Sequence, residues 1–241
     1  MKRESSECAR CPYDSDRRAC CNEEGKAPQA CPTVEEAAIL GRCLEAYDEP
    51  GVRAFALNAS LQEAEGYADR DLGYDRVRPA QPRLVEIAEF AARMGYRKLG
   101  LAFCSGLRRE AEVVGRFYAA RGFEVVSVMC KAGGVPKERI GVRDDEKVTP
   151  GAYETMCNPM FQAEVMNGAG TGLNVVLGLC VGHDALFFRY AQAPCTVLAV
   201  KDRVLGHNPL AAVYTLDSYY RYLKAEPQAS PETGAGSVTK R

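Results

Sequence analysis

Cysteine is where the chemistry of this sequence concentrates. Cys8-x-x-Cys11 is followed by Cys20-Cys21 and Cys31, and Cys104, Cys157 and Cys180 stand where apolar runs stop or helices begin. There are 11 cysteines but only two histidines, His183 and His207, so a multi-histidine metal site is excluded. Any ligand set is dominated by thiolate sulfur, which selects zinc, iron–sulfur clusters or monovalent copper. The cysteine count is odd, and the N-terminus MKRESSECARC lacks the apolar stretch of a signal peptide, so a cytoplasmic setting is expected. In a reducing compartment, cysteine at this density reads as metal ligands or redox thiols rather than as a disulfide framework.

The first group lies in residues 1–32, among turn formers such as Pro12, Asp14, Asp16, Asn22, Gly25 and Pro28. So few apolar side chains cannot order a segment by burial alone. A metal held by Cys8, Cys11, one of Cys20 or Cys21, and Cys31 would do so, and the two-residue gap of Cys8-x-x-Cys11 lets one turn bring both sulfurs to one ion. Five cysteines for four places leave one of Cys20 and Cys21 over.

The second group belongs to a series of short apolar runs. KLGLAF (98–103), FEVVSVM (123–129), 174–180 and CTVLAV (195–200) read as strands, with helices over 107–121, 159–168 and 184–192 between them. Such alternation predicts a parallel sheet with right-handed crossovers. If the first two strands wind one way and the next two the other, the order is 2-1-3-4, and ligands bind beyond the strand C-termini where that order reverses. Cys104 then ends the first strand and Cys180 the third, at the switch point, and Cys157 precedes a helix that starts at the same edge. Cys130 ends the outer strand, and its role as a ligand is left open. Cys195 begins its strand at the opposite edge, as expected of a core residue.

Backbone amides at Ser105, Gly106 and Gly182, each beside a helix start, are expected to favour thiolates and anionic ligands. FCSGLRRE lacks the second and third glycines of a dinucleotide fingerprint. His183 and Asp184 are candidates as ligand and orienting partner, or as acid–base groups, although an Asp starting a helix also serves as a cap. Lys201 and His207 are candidates for the rim. A Cys180–His183 nucleophile pair is a further option, which makes Cys180, His183 and Lys201 the candidate catalytic residues.

Around these stand positioning elements. A helix is expected over 33–48, with Thr33 and Glu36 as a capping box and Cys43 packed beside its apolar stripe. Further helices are expected over 52–72 and 83–94, the second closed by Gly95. Residues 69–82 read as a polar connector, 131–156 as a long surface loop, and 225–241 as a disordered tail. The expected fold is α/β: a three-layer sandwich on a mainly parallel, doubly wound sheet, plus a small cysteine-rich N-terminal module. In domain terms this is 1–32, then 33–224 (helical lead-in 33–95, sheet 97–224), then the tail. Hydrophobic residues at 46% supply a core, and a net charge of −1 gives no case for nucleic acid or an anionic membrane.

The N-terminal C-x-x-C…CC…CP, the strand-end FCSG, the CNP followed by QAE and Asn167, GLCVGHDALF, APCTVLAVKDR and GHNP together resemble an uncharacterised family. It is catalogued as domain of unknown function 1847 and described as predicted metal-binding proteins. The resemblance runs from Cys8 to about Tyr222. It implies metal binding through cysteines in a prokaryotic cytosol and supplies no reaction. Carried over by position, Cys8, Cys11, Cys20, Cys21, Cys31, Cys104, Cys157 and Cys180 fall within its motifs.

The leading expectation is a protein with one or two cysteine-ligated centres, iron–sulfur before zinc, serving redox, electron-transfer or sulfur chemistry. Its partners would be the metal or cluster and a redox protein or small molecule. The alternatives are a structural zinc module on a small-molecule-binding α/β domain, and an enzyme with Cys180 as thiol nucleophile.

Overall fold

The computed structural model describes residues 5–224; the tail expected over 225–241 lies outside the described residues. The chain divides into two compact units, Met1–Gln81 and Pro82–Arg241.

In the first unit, 3-10 turns at Cys8–Arg10 and Ser15–Arg17 lead to a loop closed by a parallel bridge between Arg18 and Lys26. Lys26 N–H donates to Arg17 O at 2.7 Å, and Ala19 N–H to Lys26 O at 3.0 Å. Gly25 is required there, because a Cβ would stand 2.2 Å from Arg18 O. The helix expected over 33–48 is two helices, α1 (Pro32–Glu35) and α2 (Ala37–Tyr47). Cys31, not Thr33, is the N-cap of α1, because Pro32 takes the first helical position, where its missing N–H costs nothing. Helix α3 (Pro50–Glu65) begins at another first-position proline and stops short of 72. The connector beyond it contains a two-residue antiparallel ladder, β1 (Tyr67–Ala68) with β2 (Arg78–Pro79). None of the residues of α2 is buried. Cys43 is therefore exposed rather than packed in a core.

The second unit opens with α4 (Arg83–Arg93), followed by β3 (Lys98–Phe103), α5 (Arg108–Ala120) and β4 (Glu124–Met129). After the long loop come α6 (Pro159–Ala169), β5 (Leu173–Leu177), α7 (His183–Tyr190), β6 (Cys195–Ala199) and a short α8 (Leu210–Tyr214). The sheet is four-stranded and parallel, in the order β4-β3-β5-β6. This is the doubly wound 2-1-3-4 arrangement.

Side chains alternate across each strand, so each face is fed by every second residue. Leu99, Leu101, Phe103, Leu173, Val175 and Leu177 meet Ile87, Ala88 and Ala91 of α4 and Ala111, Val114 and Tyr118 of α5. Ala102, Val128 and Val176 meet Ala163 and Met166 of α6 and Phe187 of α7 on the other face. Helices thus cover both sides in three layers. Each fully buried aliphatic side chain contributes on the order of 1.5–3 kcal/mol.

Register sets the edge that matters. Phe103 pairs with Met129 on one side and Leu177 on the other, so β4, β3 and β5 end level. The next residues are Cys104, Cys130 and Gly178.

Candidate functional site: a row of thiols at the strand ends

Cys104 and Cys130 leave adjacent strands at the same level and point to the same face, packed with α6 and α7. Cys104 N–H donates to Leu177 O at 3.1 Å and Cys130 N–H to Phe103 O at 2.8 Å, which extends the sheet by one residue. Gln162 of α6 spans the same ends: its buried Nε2 donates to Val128 O at 2.7 Å and Phe103 O at 3.3 Å.

Cys157 is brought in by the chain itself. Asn158 N–H donates to Cys130 O at 2.7 Å. The Asn158 side chain caps α6 by accepting from Phe161 N–H, and Pro159 fills the first helical position. The Cys130 and Cys157 sulfurs come to 3.8 Å. Cys180 is not a strand-end residue. β5 stops at Leu177, Gly178 turns the backbone at φ +66°, and Cys180 sits in the loop, its carbonyl accepting from His183 and Asp184 N–H.

Two of the four sulfurs accept nitrogen donors. Ser105 N–H reaches Cys130 at 3.3 Å, and the Arg203 guanidinium reaches Cys180 at 3.1 Å; the nearby Gly106 amide works against the rise of Cys104. Gly182, the third expected amide, makes no such bond among the described residues and instead begins α7. The thiols also bond one another in a chain from Cys104 through Cys130 to Cys157. Neutral Cys157 donates to Cys130; once ionised it accepts from the Cys130 S–H. That hydrogen bond, aided by Lys131, brings the Cys157 thiol down to about 7 against burial. At the far end, the bond to Cys130 and burial push Cys104 up to about 12. One proton therefore leaves this row near neutrality.

His183 is held neutral, chiefly by burial and then by Lys131, and its buried Nδ1 has no hydrogen-bond partner among the described residues. Lys201 stands at the switch point, where a Cβ on Gly106 would lie 3.2 Å from its Nζ. His207 Nδ1 accepts from Asp202 N–H at 3.1 Å and fixes a turn after β6. Cys195 accepts from the Asn174 amide at 3.9 Å, away from the row.

The N-terminal cysteines belong to the other unit. Cys8, Cys11, Cys20 and Cys31 line one cavity, and Cys21 does not. The Cys20 and Cys21 sulfurs are 3.8 Å apart, and the hydrogen bond between them raises Cys20.

The sequence profile of one family, described as protein of unknown function (DUF1847), matches residues 31–198. The chain belongs to this family. An uncharacterized protein of Methanocaldococcus jannaschii is 49% identical over 138 residues, covering 57% of this chain and 68% of that relative. No solved structure matches the chain. The DUF1847 match takes in all of Cys104, Cys130, Cys157, Cys180 and His183, while Cys8, Cys11, Cys20 and Cys21 precede it.

The donor set has the chemistry of a thiolate-bound metal site. Two thiolates on one tetrahedral ion at about 2.3 Å stand about 3.8 Å apart, the observed Cys130–Cys157 separation. Hydrogen bonds to sulfur are the outer support such ligands receive. Yet among the described residues no three His, Cys, Asp or Glu side chains converge closely enough to hold an ion. The pair fits, and a third ligand must turn inward. Sequence reasoning left the role of Cys130 open and missed Arg203 and Gln162. Cys130 carried the same signal as Cys104, an apolar run ending in cysteine.

Proposed function

We propose that the strand-end cysteines bind a soft metal centre, an iron–sulfur cluster in the leading reading and zinc in the alternative. Cys130 and Cys157 are the core pair, and Cys104 and Cys180 complete the set by side-chain rotation. The observation that carries the reading is that Cys130 and Cys157 stand 3.8 Å apart while Cys130 and Cys180 each accept an N–H bond, from Ser105 and Arg203. An aimed amide and a guanidinium stabilise sulfur in the ionised form, which is the form that ligates. Neutral His183 with an unpartnered Nδ1 is available as a nitrogen ligand. Bound iron–sulfur would supply one-electron transfer; bound zinc would supply structure or Lewis acidity.

The test is anaerobic purification with metal and sulfide analysis. Cys130→Ser and Cys157→Ser each lower the strand-end metal content, and Cys195→Ser leaves it unchanged. Unchanged metal in both of the first two variants contradicts the proposal.

A second reading is favoured by one observation, the lowered Cys157 thiol beside Cys130. In it the pair exchanges with a disulfide substrate. Cys157 thiolate attacks one sulfur and releases a thiolate, and Cys130 then displaces the second thiol to leave a Cys130–Cys157 disulfide. Cys157 replaces Cys180 as the nucleophile there, since the Cys180 sulfur is held by Arg203. Rapid alkylation of Cys157 in a protein isolated without metal would support this reading.

A further inference from the structure

The N-terminal cysteines form a site of a different kind. Cys8, Cys11, Cys20 and Cys31 line a single cavity of about 610 Å³. One zinc ion with four sulfurs leaves no such space, because its ligands close to about 3.8 Å of one another. Here no three of the thiols converge closely enough for one ion. A four-iron, four-sulfide cluster is different: each cysteine binds its own iron at a corner of the core, so its sulfurs surround a volume rather than a point.

Three further observations agree with a large anionic occupant. Arg10, Arg18 and Lys26 line the same cavity, with Glu7 the one carboxylate among the lining residues. A four-iron core bound by four thiolates carries net negative charge, which this cation excess complements. Ala30, immediately before Cys31, holds φ +58°. A non-glycine residue kept in the left-handed region is strain retained where the surroundings demand a particular direction, and here it aims the chain at Cys31. Finally, Gly25 lets the 18–26 loop close on itself, which sets Cys20 on the cavity wall and leaves Cys21 off it.

We infer that Cys8, Cys11, Cys20 and Cys31 bind a four-iron, four-sulfide cluster, with Cys21 outside the ligand set. Binding balances as two ferric and two ferrous ions, four sulfides and four thiols giving the ligated cluster and four protons. The inference is independent of the strand-end centre, and the experiment keeps the two apart.

The full-length protein carrying Cys104→Ser, Cys130→Ser, Cys157→Ser and Cys180→Ser is reconstituted anaerobically with iron and sulfide. The expected result is about four iron and four labile sulfide per chain, with broad visible absorption bleached by reductant. Adding Cys31→Ser or Cys20→Ser abolishes that absorption, and adding Cys21→Ser or Cys43→Ser leaves it. One zinc and no cluster absorption overturns the inference, as does a cluster that survives Cys31→Ser or is lost with Cys21→Ser. Should the fourfold variant fail to fold, the same contrast is read in the otherwise unaltered protein. There Cys31→Ser lowers iron by about four per chain and Cys21→Ser does not; equal iron in both overturns the inference.

Discussion

Cys157 and Cys104 sit at opposite ends of one hydrogen-bonded row, and the row separates their protons. The donated Cys130 bond settles negative charge on Cys157, at about 7, and withholds it from Cys104, at about 12. In metal-free protein, alkylation of Cys157 should rise with pH to a plateau with a midpoint near 7, while Cys104 stays silent through pH 10; mass spectrometry against pH reads both. Linkage has opposite signs at the two residues. The lowered Cys157 contributes stability that is fully present above its unfolded value near 9 and is lost as pH falls through 7. The raised Cys104 contributes stability present below about 9 and lost as pH climbs toward 12. Metal affinity should also fall below pH 7, as Cys157 regains its proton. Arg203 acts at the same scale. Arg203→Ala removes the N–H···S bond to Cys180, and losing an outer-shell partner of this type lowers metal affinity by about 10–100-fold. A competition titration with a chelator measures it.

At the scale of elements, the level ends of β3, β4 and β5 make the row, and two residues outside the cysteine set hold those ends. Gln162 ties β3 to β4 through Phe103 O and Val128 O. Gln162→Leu keeps the volume but removes both side-chain hydrogen bonds to these carbonyls, at a cost of about 1–3 kcal/mol in urea unfolding. Gly178 makes the turn that separates Cys180 from β5. In Gly178→Ala the new Cβ would stand 2.1 Å from Leu107 Cδ1 at φ +66°, which should cost about 2–4 kcal/mol from overpacking and left-handed strain combined. The sheet elements were legible because their signals are local: KLGLAF is β3 residue for residue, and Gly95 closes α4 at positive φ. The first helix was misplaced because Pro32 outcompetes a Thr33 cap, and Cys43 because periodicity cannot say whether a helical stripe finds a partner. Cys180 looked like a strand end because Leu179 continues the apolar run past the turn. That Cys130, on the outermost strand, stands at the centre of the row depends on where α6 returns the chain. No local pattern carries that information.

At the scale of the whole molecule, two units carry two cysteine sets with different support. The sheet unit has a core on both faces and holds its thiols without help from a ligand. Residues 5–33, by contrast, contain no buried residue, so burial cannot order them. Removing iron should therefore raise hydrogen exchange throughout 5–33 while strands β3 and β5 keep their protection, as read by mass spectrometry of the full chain. Equal loss in both units would contradict this division.

In the proposed centre the strand-end sulfurs act together as thiolate ligands. The most direct test is cobalt(II) titration of the protein carrying Cys8→Ser, Cys11→Ser, Cys20→Ser and Cys31→Ser, which silences the N-terminal set. A sulfur-to-cobalt charge-transfer band should appear at one equivalent and vanish when Cys130→Ser or Cys157→Ser is added. No band, or a band indifferent to both substitutions, would contradict it.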